Sequence, residues 1–256
     1  MALPFTAPAS LDPSFSMSCP TEVNIEGLAQ VYYESFLTDP ALTYWWSPDR
    51  EVMLDWLRTR TRNKLADHTT RHFHVVNSQK ETVAYARWDI PAGYEAAFGK
   101  LNGIEDGFHG PGGVPDDGTA PTGDLVPKES LVPPKGTDPV PFEAFFSILS
   151  RMAAKYDAKG MLGLLLLCTS PQYHRRGAGT ALLTPMLAIA DSVGLRCYLE
   201  ASAIGRPLYE KLGFRTVEVQ PLDVAALTNG KMEGSTLISI MIREPRNLQG
   251  GKETTA

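Results

Sequence analysis

Apolar positions along this chain follow three patterns, namely helical spacing, alternation and short unbroken runs. Leu28, Val31, Tyr32 and Ser35 fall on one face of a helix expected from about 25 to 37, which Pro40 closes. Tyr44, Trp45 and Trp46 follow, and then a second helix from about 49 to 66. Its Val52, Leu54, Trp56, Leu57 and Leu65 keep helical spacing only loosely. His72–Ser78 and Glu81–Pro91 read as two strands joined by a short polar turn. In the second, Val83, Tyr85, Arg87 and Asp89 share one face, and Ala84, Ala86, Trp88 and Ile90 the other. Phe142, Phe145, Phe146, Leu149 and Met152 form the stripe of a helix that opens at Pro141 and stops at Gly160. Leu164 to Leu167 is an unbroken apolar run, the pattern of a strand covered on both faces. A helix then runs to Val193 with Pro185 inside it, where the missing N–H should bend it. Strands are expected at 195–201, 214–220 and 235–243, with a short helix after the first.

Glycine and proline interrupt this pattern once. Between Gly110 and Pro141, 14 of 32 residues are Gly or Pro, a density that excludes regular structure. The segment from about 93 to 141 therefore reads as an insertion, a lid over a site or a surface loop. Because the strands before it need those after it, the chain reads as one domain, 1–256. A mobile Pro/Ser/Ala-rich arm (about 1–20) and a frayed polar tail (about 245–256) flank it.

Charge and cysteine content remove several function classes. The net charge is −5 and no long basic run occurs, which speaks against nucleic acid as a partner. No apolar run approaches the roughly 18 residues that cross a bilayer, and the N-terminus lacks a secretory pattern. Cys19, Cys168 and Cys197 are too far apart to chelate, and His72 with His74 is a pair lacking a third ligand, so no metal is expected. Three scattered cysteines suit a reducing compartment, and a cytoplasmic location is the expectation.

The chemistry concentrates in LGLLLLCTSPQYHRRGAGTALL, Leu162 to Leu183. Pro171 ends the strand, and Gly177 and Gly179 open a helix where the backbone can come close to a ligand. Unpaired N–H groups and the positive end of the helix dipole make such a turn an anion site, most simply for a phosphate, with Arg175 and Arg176 adding charge. Leu182 stands where a dinucleotide fingerprint would place its third glycine, and no Walker loop occurs. His174-Arg175-Arg176-Gly177-Ala178-Gly179 instead resembles motif A of the GNAT superfamily of acetyl-CoA-dependent acyltransferases, with His174 where that family usually carries Gln or Arg. GRPLYEKLGF, Gly205 to Phe214, resembles its motif B. The order of "LEAS" and motif B, with the N-terminal helices, is similar to GNAT-type proteins abundant in filamentous fungi.

The resemblance implies an α+β fold of α/β/α layers, with a mixed, mostly antiparallel central sheet whose central parallel strands splay. It implies acetyl-CoA as cosubstrate and acetyl transfer to a primary amine by direct attack in a ternary complex. Leu167, Cys168 and Thr169 would pair with the pantetheine arm, one of their N–H groups polarising the thioester carbonyl. His174, Arg175, Arg176, Gly177, Ala178, Gly179 and Thr180 would hold the pyrophosphate. Tyr209 would protonate the departing thiolate. No acid lies on the motif A strand, so Glu200 on the next strand is the candidate general base, with Asp89 or water as alternatives. Cys168 reads as a small apolar strand residue rather than a nucleophile. The acceptor is expected to be a small-molecule amine. A protein lysine or N-terminus, or a non-catalytic CoA-binding module, are the alternatives. The N-terminal aromatics are either core or the wall of the acceptor pocket.

Overall fold

The computed structural model describes residues 3–39, 42–99 and 132–246. Its centre is a seven-stranded sheet built from β1 (Ser16–Ser18), β2 (Thr70–Val76), β3 (Thr82–Asp89), β4 (Leu162–Thr169), β5 (Cys197–Ser202), β6 (Arg215–Asp223) and β7 (Ser235–Arg243). The spatial order is β1-β2-β3-β4-β5-β7-β6. All neighbours are antiparallel except β4 and β5, which are parallel. Helices α1 (Ile25–Phe36), α2 (Arg50–Leu65) and α3 (Pro139–Lys155) are accompanied by α4 (Ala178–Ser192), α5 (Arg206–Lys211) and α6 (Val224–Leu227). Ala84, Ala86, Trp88, Leu199 and Ala201 pack with α4 residues on one face of the sheet. Tyr85, Leu166 and Cys168 pack with Leu28 and Val31 of α1 on the other, and Tyr198 and Ile240 join residues of α2 and α3. This is the α+β, layered sheet the sequence led us to expect.

Several ends differ from expectation for local reasons. Helix α3 begins at Pro139 because Asp138 accepts the Val140 N–H at 3.1 Å. It stops at Lys155, ahead of Gly160, as Asp157 turns left-handed. Strand β1 and helix α6 carry too few residues to show a period. The N-terminal arm, expected to be mobile, is packed. Leu11, Phe15 and Met17 are buried against the α4 side, and β1 pairs with β2. Burial of three apolar side chains outweighs the arm's turn-rich composition. Of the expected insertion and tail, residues 100–131 and 247–256 lie outside the described residues. At the flank of the former, Phe98 is fully buried and the Gly99 carbonyl accepts a hydrogen bond from Arg71 at 3.0 Å.

Strand β4 determines the geometry of the centre. Arg87 of β3 pairs with Leu166 but Trp88 with Leu164, so Leu165 is an extra, bulged residue. A bulge shifts the side-chain alternation by one. Leu162 and Leu164 therefore face α4, whereas Leu166 and Cys168 face α1. The four-leucine run thus serves both layers. Past the bulge β4 also leaves its parallel neighbour. Pairing with β5 spans only Leu162–Leu164 against Cys197–Leu199, and the two strands then part.

Candidate active site

The gap between β4 and β5 opens into a cleft of about 160 Å³, open to solvent, on the α1–α3 side of the sheet. Leu164 to Leu167 form one wall, and Glu200, Ala201 and Ser202 of β5 another. Tyr32, Phe36, Trp45, Trp46, Phe145 and Phe146 supply an aromatic wall, while Arg60 and Arg87 also reach the cleft. The aromatics meet both readings offered by the sequence. Trp45 is buried and stacks edge-on with Phe142 and Trp56, yet it and Trp46 line the cleft.

Backbone polarity along β4 follows from its pairing. The Ser170 N–H donates to the Val83 carbonyl at 2.9 Å. Alternation in an antiparallel ladder then turns the Cys168 and Leu166 N–H groups toward β3 and the Leu167 N–H toward the splay. Thr169 donates its N–H to the Ser35 hydroxyl at 3.4 Å. Leu167 therefore carries the donor that faces the gap. Cys168 is buried against α1, its thiol donating to the Tyr85 carbonyl at 3.6 Å, and burial pushes its pKa up, which leaves it a poor nucleophile.

The turn into α4 is built differently from the sequence reading. Arg175 and Gly177 are left-handed, with φ of 63° and 82°. The Gly177 position needs glycine for a second reason, since a Cβ there would lie 2.6 Å from the Ser10 carbonyl oxygen of the arm. Gly179 fits against Leu208 of α5, where a Cβ would meet its Cδ2 at 3.3 Å. Arg176, expected to add charge for a phosphate, is instead engaged by the arm. It pairs with Asp12 at 2.8 Å, donates to the Ser14 hydroxyl and lies 4.3 Å over the Phe15 ring. His174 holds the end of β4 through the Thr169 carbonyl, 3.0 Å from its Nε2. Arg175 stays exposed. The first intrahelical bond of α4 runs from Ala181 to Gly177, so the N–H groups of Ala178, Gly179 and Thr180 have no acceptor within the helix.

Titratable groups under the cleft are strongly perturbed. Burial raises the Glu200 carboxyl to about 7. Tyr209 projects from α5 into the cleft, packs edge-on against Phe214, and is raised by burial above the usual phenol range. Burial, and then the neighbouring Arg87, lowers Arg60 to about 10 and His72 to about 3. His72 donates from Nε2 to the Lys64 carbonyl at 2.9 Å and bonds Tyr85 Oη through Nδ1 at 2.7 Å, and His74 bonds Ser18 and Thr82. Both histidines are thus tied into the sheet. Asp89 lies away from the cleft, facing Thr69.

The structure accordingly brings Leu167, Glu200 and Tyr209 to one cleft, with the α4 turn at the end of the same strand. Cys168, buried under α1, does not line it. Sequence reading missed Arg60 and Arg87 as cleft residues. The signal available was a cation in the middle of an apolar strand, Arg87 between Ala86 and Trp88.

Comparison with known proteins bears on this arrangement. A family model described as acetyltransferase (GNAT) domain matches residues 146–216, from α3 to the start of β6. No curated protein matches the chain by sequence. A crystal structure titled histone acetyltransferase HPA2 and related acetyltransferase, from Corynebacterium glutamicum, superposes with a TM-score of 0.51 at 20% identity, covering 93% of this chain and 99% of that one. The ribosomal-protein-S18-alanine N-acetyltransferase of Escherichia coli gives 0.47 at 13% identity, covering 94% and 99%. A PaiA N-acetyltransferase of Thermoplasma acidophilum, in complex with coenzyme A, gives 0.46 at 14% identity, covering 90% and 99%. The likeness to fungal proteins has no counterpart among these. Residues 146–216 thus match the acetyltransferase (GNAT) domain model, and the Corynebacterium glutamicum structure shares the fold.

Proposed function

We propose, from the acetyltransferase (GNAT) domain matched over residues 146–216, that this protein moves an acetyl group from acetyl-CoA to the primary amine of a small molecule. The observation that carries the reading is the cleft itself. It is walled by aromatics and joins the β4–β5 splay, so a compact acceptor can meet an inward-facing N–H and a buried carboxylate together. The chain's donors fit the cosubstrate: a free N–H at Leu167, a helix start without internal acceptors at Ala178–Thr180, and exposed Arg175 beside it. Bound acetyl-CoA supplies the activated acetyl thioester.

Each residue then has a task. The N–H groups of Ala178, Gly179 and Thr180 hold the pyrophosphate. The Leu167 N–H hydrogen-bonds the thioester carbonyl oxygen and stabilises the negative charge that grows there. Glu200, as carboxylate, takes the proton from the acceptor ammonium and frees the nitrogen lone pair for attack on the carbonyl carbon. As the carbon–sulfur bond breaks, Tyr209 gives its proton to the thiolate, and the second proton leaving the acylated nitrogen restores the phenol. A direct transfer needs no covalent enzyme intermediate, in keeping with the buried, unreactive Cys168.

Calorimetric titration with acetyl-CoA, and NADH as control, tests the cosubstrate. Micromolar binding of the former alone is expected. Release of CoA thiol is then followed across amino acids, aryl amines, polyamines and peptides. Absence of acetyl-CoA binding, or turnover of peptides alone, would remove the reading.

A further inference from the structure

Three buried cations among the described residues, Arg243, Lys64 and Arg71, are matched. Arg243 meets Asp191 at 2.7 Å, Lys64 meets Asp67 at 3.2 Å, and Arg71 donates to the carbonyls of His68, Thr70 and Gly99. Arg87 differs from these three. It is only 3% exposed, lines the cleft, and its Nε lacks any hydrogen-bond partner among the described residues. No ion pair forms on it among those residues either. Its neighbours add positive charge, since Arg60, also a cleft residue, lies close enough to be repelled by it. Arg60 is held against the rings of Trp56 and Phe146, 5.3 Å from each centroid. A desolvated guanidinium without a counter-charge is costly, and ligand binding is the natural way to offset that cost.

Glu200 is the remaining charged residue of the cleft lining. The cleft therefore presents a carboxylate from β5 and guanidinium groups from β3 and α2, between aromatic walls. We infer that the acceptor is an amino-carboxylate, its amine directed to Glu200 and its carboxylate received by Arg87. A planar carboxylate matches the fork of an arginine in two parallel hydrogen bonds, which fixes the orientation of the amine as well as its affinity. This inference rests on the acetyl-transfer reading and names the substrate class for it.

The test compares several amino acids, each with its decarboxylated amine, in wild type, Arg87→Met and Arg87→Lys. Wild type should favour the carboxylate-bearing member by roughly 100-fold in kcat/KM, the scale of a lost charge-assisted pair in a desolvated site. Arg87→Met should bring that ratio near one, and Arg87→Lys should keep part of it. Acetyl-CoA affinity and the circular-dichroism spectrum of each variant show that it is folded, and a methionine of similar length is tolerated where a charge stood unpaired. A wild-type ratio near one, a ratio unmoved by Arg87→Met, or faster acetylation of peptide lysines would each overturn the inference while leaving acetyl transfer intact. Direct binding separates the two ideas from the other side. N-acetylated amino acids, titrated without turnover, should bind wild type and lose roughly 100-fold in Arg87→Met. Equal binding to both would sink the inference even if no amine were ever acetylated.

Discussion

Tyr209 and Gly177 show how differently two residues of matching motifs can be constrained. Tyr209 is buried and lines the cleft, so its ring is held by packing. Replacement by Phe keeps the packing against Phe214. The expected outcome is a kcat lowered roughly 10- to 100-fold with little change in the KM for acetyl-CoA. An unchanged kcat, with chemistry shown to be the slow step, would remove Tyr209 from the mechanism. Gly177 is needed by the fold before any ligand arrives. Its φ of 82° and the Ser10 carbonyl 2.6 Å from a would-be Cβ both penalise a side chain. Gly177→Ala should cost about 2 kcal/mol of stability, from left-handed strain plus displacement of the arm, read as a fall in the melting temperature. A variant as stable as wild type would show that the arm does not rest on this turn. The sequence presented this glycine as a place for close ligand approach. The competing constraint comes from Ser10, far away in the chain, and no local pattern reveals it.

Among the elements, β4 depends most on a single irregularity. The bulge at Leu165 lets Leu162 and Leu164 face α4 while Leu166 and Cys168 face α1. Deleting Leu165 would restore simple alternation and keep every facing, since Leu164 and Leu166 become consecutive, but it would remove the irregularity past which β4 leaves β5. The chain should then keep a cooperative melting transition and lose affinity for acetyl-CoA, read by calorimetry. A deletion variant that binds acetyl-CoA as wild type does would mean that the bulge does not set the splay. The existence of β4 was legible in its leucine run, as were α1, α2, β2, β3 and β7 in their periods. The bulge was not, because four identical residues carry no facing information. The cleft was legible in part. Tyr209 was found through motif B and Glu200 from its place on the strand beside motif A, whereas Arg87 shares a face with Tyr85 that looks, in one dimension, like any half-buried strand. The arm was misjudged because Pro and Ser in its sequence outweighed Leu11, Phe15 and Met17, whose burial depends on α4 lying beneath them.

At the scale of the whole molecule, the cleft should leave a mark on stability. Burial lifts the Glu200 carboxyl from its ordinary 4.5 to about 7. Between those values the folded protein holds a proton that the unfolded chain has released, so this group's contribution makes stability fall as pH rises from 4.5 to 7. Glu200→Gln should remove that slope and melt higher than wild type at pH 8, with little difference near pH 4.5. The same ionisation gives wild-type kcat/KM a rise through about pH 7, which the variant should lack along with roughly 100-fold or more of the rate. A pH-independent difference in melting temperature between the two would place the Glu200 carboxylate in solvent.

The aromatic wall has an optical consequence. Of four tryptophans, Trp45 and Trp46 line the cleft and Trp56 touches Arg60 and Trp45, while Trp88 is fully buried on the opposite face of the sheet. Most of the intrinsic fluorescence therefore originates beside the acceptor and little of it near the α4 turn. Entry of an acceptor should change both intensity and emission maximum, and Trp46→Phe should diminish the response. A spectrum indifferent to a turned-over acceptor would mean that the amine approaches from elsewhere. Should the signal appear, the protein reports its own acceptor in a cuvette, with no label and no reaction required.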